Sequence, residues 1–264
     1  MLASAIAFIL LTQGGDPPTQ STTPPAPAST DAQAAPTPPD PAKLVSAMLS
    51  HYFRAESVTG TILLTTSAGG VSGQVLTTLS FQTPAYLYLR QDMVAATKRS
   101  WLILCDGTDF EYPVPQGMPG SEVGRMLTEP LSVEGGVTSF RDVYKIGAQG
   151  IKDRSAPLEI AFSVSDEMRN LKRELTTLNY TGQTTIRGQL CNVIEGYWSE
   201  GGRAKEEQYR MAITPDGDLM QYEIYGTVSY SVGNKQIVGP LQVDEVWDVD
   251  LKVNKPVDTS VFHF

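Results

Sequence analysis

The sequence predicts a single α+β domain over residues 41 to 264, a large twisted antiparallel sheet with a helix ahead of it. Three observations predict it. An early stretch has apolar residues at helical spacing, short runs of Thr, Val, Leu and aromatics follow, and no repeat or composition break divides the rest. With 41% hydrophobic and 19% charged residues the chain has an ordinary globular composition, which excludes wholesale disorder.

Asp40 is a good N-cap and Pro41 suits the first helical position. Leu44, Val45, Met48, Leu49 and Tyr52 then recur at helical spacing, so residues 41 to 55 read as an amphipathic helix. Strands are expected at Thr61 to Thr66, Val75 to Phe81, Tyr86 to Arg90, Trp101 to Cys105 and Phe110 to Val114, punctuated by Gly69-Gly70, Pro84, Asp106-Gly107 and Pro113. Better helix formers at Ser121 to Thr128, Phe140 to Gln149 and Asp166 to Leu175 predict two or three short helices. Strands resume at Thr176 to Tyr180, Leu190 to Trp198, Glu206 to Thr214, Leu219 to Tyr230 and Gln242 to Val253, with Thr214-Pro-Asp-Gly-Asp218 as a hairpin turn.

Residues 1 to 40 are of another kind. The run Leu2 to Thr12 is too short to span a bilayer but suits the core of a signal peptide, assigned to residues 1 to 15. No Lys or Arg precedes it, which a start codon placed too far downstream would explain; the alternative is a buried N-terminal strand or helix. Nine of the 18 prolines lie between Pro17 and Pro41, in a segment of Pro, Thr, Ala, Ser, Gln and Asp that cannot bury enough apolar surface to order itself. Residues 16 to 40 therefore read as a disordered, semi-stiff tether. Export would place Cys105 and Cys191 in an oxidising space, where a bridge and a pair of buried thiols are both open to them.

Several function classes are excluded. A net charge of −9 with no basic concentration argues against nucleic acid. No G-x-S-x-G elbow, phosphate loop or H-E-x-x-H pair occurs. His51, His263 and the two cysteines have no metal-ligand spacing, so neither metal nor cofactor is expected. His51 reads as a helix-end residue, and Asp248 with Asp250 as solvated strand carboxylates. Nothing points to an enzyme. A curved sheet under an imperfectly fitting helix leaves room for an alkyl chain, although physical chemistry alone favours a dry core of the same residues.

Leu102-Ile-Leu-Cys-Asp-Gly-Thr-Asp-Phe-Glu-Tyr-Pro113 resembles the strand-turn-strand of the outer-membrane lipoprotein carrier (LolA-like) family. Phe81-Gln-Thr-Pro-Ala-Tyr-Leu-Tyr88 looks like the preceding strand, Tyr209 to Tyr222 is similar to a late hairpin, and Val257-Asp-Thr-Ser-Val-Phe-His-Phe264 is similar to the closing segment. The family's carriers commonly place an Arg before the strand Pro, where it helps hold the lid closed, and this chain has Thr83 there. The resemblance spans residues 41 to 264. It implies an unclosed β-barrel of about 10 or 11 strands with helices over the concave face, binding lipid acyl chains or lipoproteins outside the cytoplasm. It also implies a role in lipoprotein transport or sorting to the outer membrane. The alternative is an envelope sensor or adaptor of the same fold that grips a membrane protein's domain. A monomer is expected. Leu44, Met48, Leu63, Leu79, Leu87 and Leu102 are the expected cavity lining, with strand parity taken such that a one-residue slip would turn each strand choice outward.

Overall fold

Eleven strands form one antiparallel sheet whose order follows the chain except at one place. In this computed structural model, α1 spans Pro41–Phe53 and is followed by β1 (Ser57–Ala68), β2 (Val71–Gln82), β3 (Tyr86–Met93), β4 (Ser100–Asp106), β5 (Asp109–Pro113) and β6 (Met126–Pro130). Helices α2 (Phe140–Gly147) and α3 (Ala156–Phe162) intervene before β7 (Asn179–Ile186), β8 (Gln189–Trp198), β9 (Glu207–Ile213), β10 (Leu219–Val232) and β11 (Lys235–Val253); a 3-10 turn, Thr259–Phe262, follows. The structure describes residues 38–264 apart from 69, 95–98, 115–124, 164–177, 199–206, 233–234 and 264, and only the backbone of 197–198, 207 and 227–242. Described residues fall in one compact unit, Pro38–Phe264. The expected signal peptide and nearly all of the expected tether lie outside the described residues.

The strand order is β6-β5-β4-β3-β2-β1-β11-β10-β9-β8-β7. Two meanders, β1 to β6 and β7 to β11, are thus joined along the β1–β11 pair, which runs in unbroken register from Val58↔Val253 to Ala68↔Val243. β6 and β7 are the two free edges, so the sheet is unclosed, as expected. The central strands present apolar residues at every second position, Val58, Ile62 and Leu64 on β1 or Trp247, Val249, Leu251 and Val253 on β11, and these share one continuous core with the helices.

Two expectations for the middle of the chain need correction. A helix over Ser121 to Thr128 is not formed at its end: Met126–Pro130 is β6, paired with β5 from Asp109↔Pro130 to Pro113↔Met126. The open edge of β5 offers the backbone a full set of partners, and that tertiary pairing overrides local helix preference. α3 was not anticipated. Pro157, Leu158, Glu159, Ile160, Ala161 and Phe162 are all buried, so the segment has no polar face to give it a helical period. The expected helix over Asp166 to Leu175 lies outside the described residues. β7 runs on to Ile186, past the expected Tyr180, because β8 pairs with it as far as Ile186↔Gln189; Thr181, Gln183 and Thr185 are exposed, so this edge strand shows no apolar alternation.

Candidate ligand cavity

Among the described residues three helices pack against the core side of the sheet. Asp40 Oδ1 accepts from the backbone N–H of Ala42 at 3.0 Å and caps α1, which buries Val45, Met48, Leu49 and Tyr52. Its C-terminal end is held to the β9–β10 turn: His51 Nε2 lies 3.0 Å from Asp218 Oδ1, and Leu219 N donates to the Tyr52 hydroxyl at 3.3 Å. α2 starts in a Ser139–Asp142 capping box. It stacks Phe140 on Phe81 at 4.2 Å between centroids, while Tyr144 stacks on Phe162 of α3 at 3.8 Å.

Arg141 ties the helices together. Its Nε donates to Phe162 O at 2.9 Å and its Nη2 to Phe53 O at 3.1 Å, so one guanidinium holds the carboxyl ends of α3 and α1 while lying over the Phe140 ring. Glu159 on α3 accepts from the Tyr144 hydroxyl at 2.9 Å and from Arg154 Nε at 2.8 Å.

Toward the other end of the sheet the packing opens into a cavity of about 570 Å³. Leu64, Val75, Met93, Ile224 and Trp247 form its apolar wall, and Lys152 to Ala156, the segment entering α3, forms the facing side. That segment is fastened by polar groups. The Gln91 side-chain carbonyl accepts from the N–H of Lys152 (3.0 Å) and Asp153 (2.8 Å), and its amide donates to Asp153 O (2.7 Å) and Thr77 Oγ1 (3.2 Å). Trp247 Nε1 donates to Asp153 Oδ2 at 3.1 Å. Burial pushes the Asp153 carboxyl above its ordinary pKa, and the hydrogen bond from Trp247 opposes that rise. The chemistry on offer is a slot with an apolar wall, a volume typical of small-ligand sites, and polar groups engaged in holding one wall in place.

The expected lining residues divide in two. Met48, Leu79 and Leu87 are fully buried in the main core, and Leu44 packs against it. Leu63 and Leu102 are on the opposite face, because Ile62 and Leu64 on β1 and Ile103 and Cys105 on β4 take the core side of the pleat; the parity chosen for those strands was one residue out. None of the six lines the cavity described here. The residues that do, Leu64, Val75, Met93, Ile224 and Trp247, sit at the β1 C-terminal end and its partners, and the signal for them was present in the strand alternation but not in the choice of end. Cys105 is in the main core and Cys191 in a small cluster with Ala212 and Met220; both are buried free thiols, which resolves that alternative against a bridge. Among the described residues no group of acidic, His and Cys side chains forms a metal site, and no helix is long and apolar enough to cross a membrane.

Neither a protein-family model nor a curated protein matches the sequence. Among solved structures, the chain is similar to the Mycobacterium tuberculosis lipoprotein LppX, with 13% identity and a TM-score of 0.41 over 83% of this chain and 97% of that one. It is similar to a LolA superfamily protein from Nitrosomonas europaea, with 12% identity and a TM-score of 0.31 over 85% and 97%. It is also similar to MucB of Pseudomonas aeruginosa, solved with MucA, with 9% identity and a TM-score of 0.42 over 84% of this chain and 60% of that one. Likenesses this low carry no assignment of family or function.

Proposed function

We propose that this protein works outside the cytoplasm as a binder of lipids or lipoproteins, holding an alkyl chain in the cavity between Trp247 and the Lys152–Ala156 segment. The observation that carries this reading is the cavity itself: about 570 Å³, with an apolar wall of Leu64, Val75, Met93, Ile224 and Trp247. The cavity opens to solvent and its rim is polar, but the apolar wall gains contacts when an alkyl chain lies along it in place of water. Transport or sorting of lipoproteins is the finer form of the reading and follows from the motif resemblance.

Native mass spectrometry of the protein purified from an exporting bacterial host, followed by organic extraction, tests it. A mass excess that extracts as fatty acid, phospholipid or lipoprotein is the expected result. Ala156→Trp, which places an indole in the cavity, is expected to lower that excess while leaving the fold intact by circular dichroism. A clean apo mass that does not change on incubation with lipids overturns the reading. The adaptor of the same fold, gripping a partner protein, would then take its place.

A further inference from the structure

The side of the cavity that faces the apolar wall alternates in burial along the chain. Lys152 and Arg154 are exposed at the rim, while Asp153 is 8% exposed and Ser155 6%. Of the polar residues that line the cavity, only Asp153 and Ser155 are buried. The Ser155 hydroxyl is fully enclosed by protein and offers a ligand nothing. Asp153 differs. Its backbone N–H and carbonyl are bonded to Gln91, and its Oδ2 takes the indole N–H of Trp247 at 3.1 Å. Trp247 belongs to the apolar wall and Asp153 to the side facing it, so that bond places the carboxyl where the two walls meet. The other oxygen, Oδ1, has no donor among the described residues and is not enclosed.

A carboxyl oxygen held away from bulk water without a donor is costly, and a ligand that donates to it recovers the bond. The ligand's charge then decides which head fits. A carboxylate has no proton to give and carries the same sign as Asp153. An ammonium would meet Lys152 and Arg154 at the rim and surrender its hydration to enter. A hydroxyl donates and adds no charge to a place where burial already disfavours the charge of Asp153.

We propose that the ligand is an uncharged lipid with a free hydroxyl at its head, donated to Asp153 Oδ1, its alkyl chain lying along Leu64, Val75, Met93 and Ile224. Asp153 is then the residue that sets the choice of head. The assignment rests on the cavity's holding an alkyl chain and narrows the ligand to a long-chain alcohol or a partial acylglycerol, with a free fatty acid disfavoured.

Titration of the full chain at pH 8 with 1-dodecanol, 1-monododecanoylglycerol and dodecanoate, followed by intrinsic tryptophan fluorescence with Trp247 in the cavity wall, tests it. Both hydroxyl lipids are expected to bind about tenfold more tightly than dodecanoate, and the tighter of the two identifies the source of the head. In Asp153→Asn the amide oxygen keeps the indole N–H, so an NH₂ donor replaces Oδ1; dodecanoate is expected to gain and the preference to reverse. Asp216→Asn, in the β9–β10 turn, removes one charge from the chain without touching the cavity and is expected to leave the preference unchanged. Equal binding of the three, tighter binding of dodecanoate by the parent, or an Asp153→Asn preference like the parent's overturns the proposal and leaves the cavity reading standing. Binding of none of them overturns both.

Discussion

Asp153 is a buried carboxylate held from two directions, by Trp247 and, through its backbone, by Gln91. Its folded pKa is raised by burial, so the ionised form costs stability above that pKa, and the cost disappears as pH falls below the value of the unfolded chain. Asp153→Asn removes the charge and keeps an oxygen for the indole N–H. Its stability at neutral pH is expected to equal or exceed the parent's, with a flatter dependence through the acidic range in urea denaturation. Trp247→Phe leaves a buried acceptor without its donor and is expected to cost about 1–3 kcal/mol, less in the Asp153→Asn background. At the alkaline side, burial pushes the Cys105 thiol up to about 11, and burial with the Glu129 hydrogen bond and charge pushes the Tyr112 hydroxyl up to about 12. Both groups are neutral longer when folded than when unfolded. Their contribution is complete below the ordinary thiol and phenol pKa values and is lost as pH rises through 11 and 12. Chemical denaturation across alkaline pH should show that decline, and Cys105→Ala should soften its first part.

At the scale of elements, the helices pack on one another, with Tyr144 of α2 stacked on Phe162 of α3, and are tied at their ends by Arg141. Its two bonds go to carbonyls at helix carboxyl ends, groups that no intrahelical N–H can satisfy. A fork-shaped donor spans both; an ammonium reaches one. Arg141→Met is expected to lower stability by about 3 kcal/mol and to speed hydrogen exchange in the last turns of α1 and α3, with Arg141→Lys recovering only part of the loss. Had the side chain served packing alone, Met, with its comparable stem, would leave exchange at those ends unchanged.

At the scale of the whole molecule, the β1–β11 seam is where the amino-terminal and carboxy-terminal meanders become one sheet, joining residues that lie nearly the full domain apart in sequence. Gly60 sits in that seam with φ +145°, and a Cβ there would lie 1.9 Å from Asp250 O. No side chain fits so close to a neighbouring strand, and only glycine tolerates the conformation. Gly60→Ala is expected to cost about 3 kcal/mol and to separate the unfolding of the two meanders, seen as distinct exchange rates in β1–β5 and β8–β11. A single cooperative transition with unchanged stability would contradict this.

Local chemistry in the sequence determined α1, because Asp40, Pro41 and the spacing of Val45, Met48, Leu49 and Tyr52 act within one helix. It also determined ten of the strands approximately, because alternation and Gly or Pro turns act within one hairpin. What depends on distant partners was decided by the tertiary structure. Met126–Pro130 became a strand because β5 had an open edge, and Ala156–Phe162 became a helix because it is buried on every side. Leu63 and Leu102 face away from the core because the pleat leaves no halfway position, so an apolar residue beside another apolar residue reveals nothing about which of them points inward. The cavity was the least legible feature of all. Its lining comes from five strands and the segment before α3, and a void is defined by where side chains fail to meet, a property that belongs to no single residue.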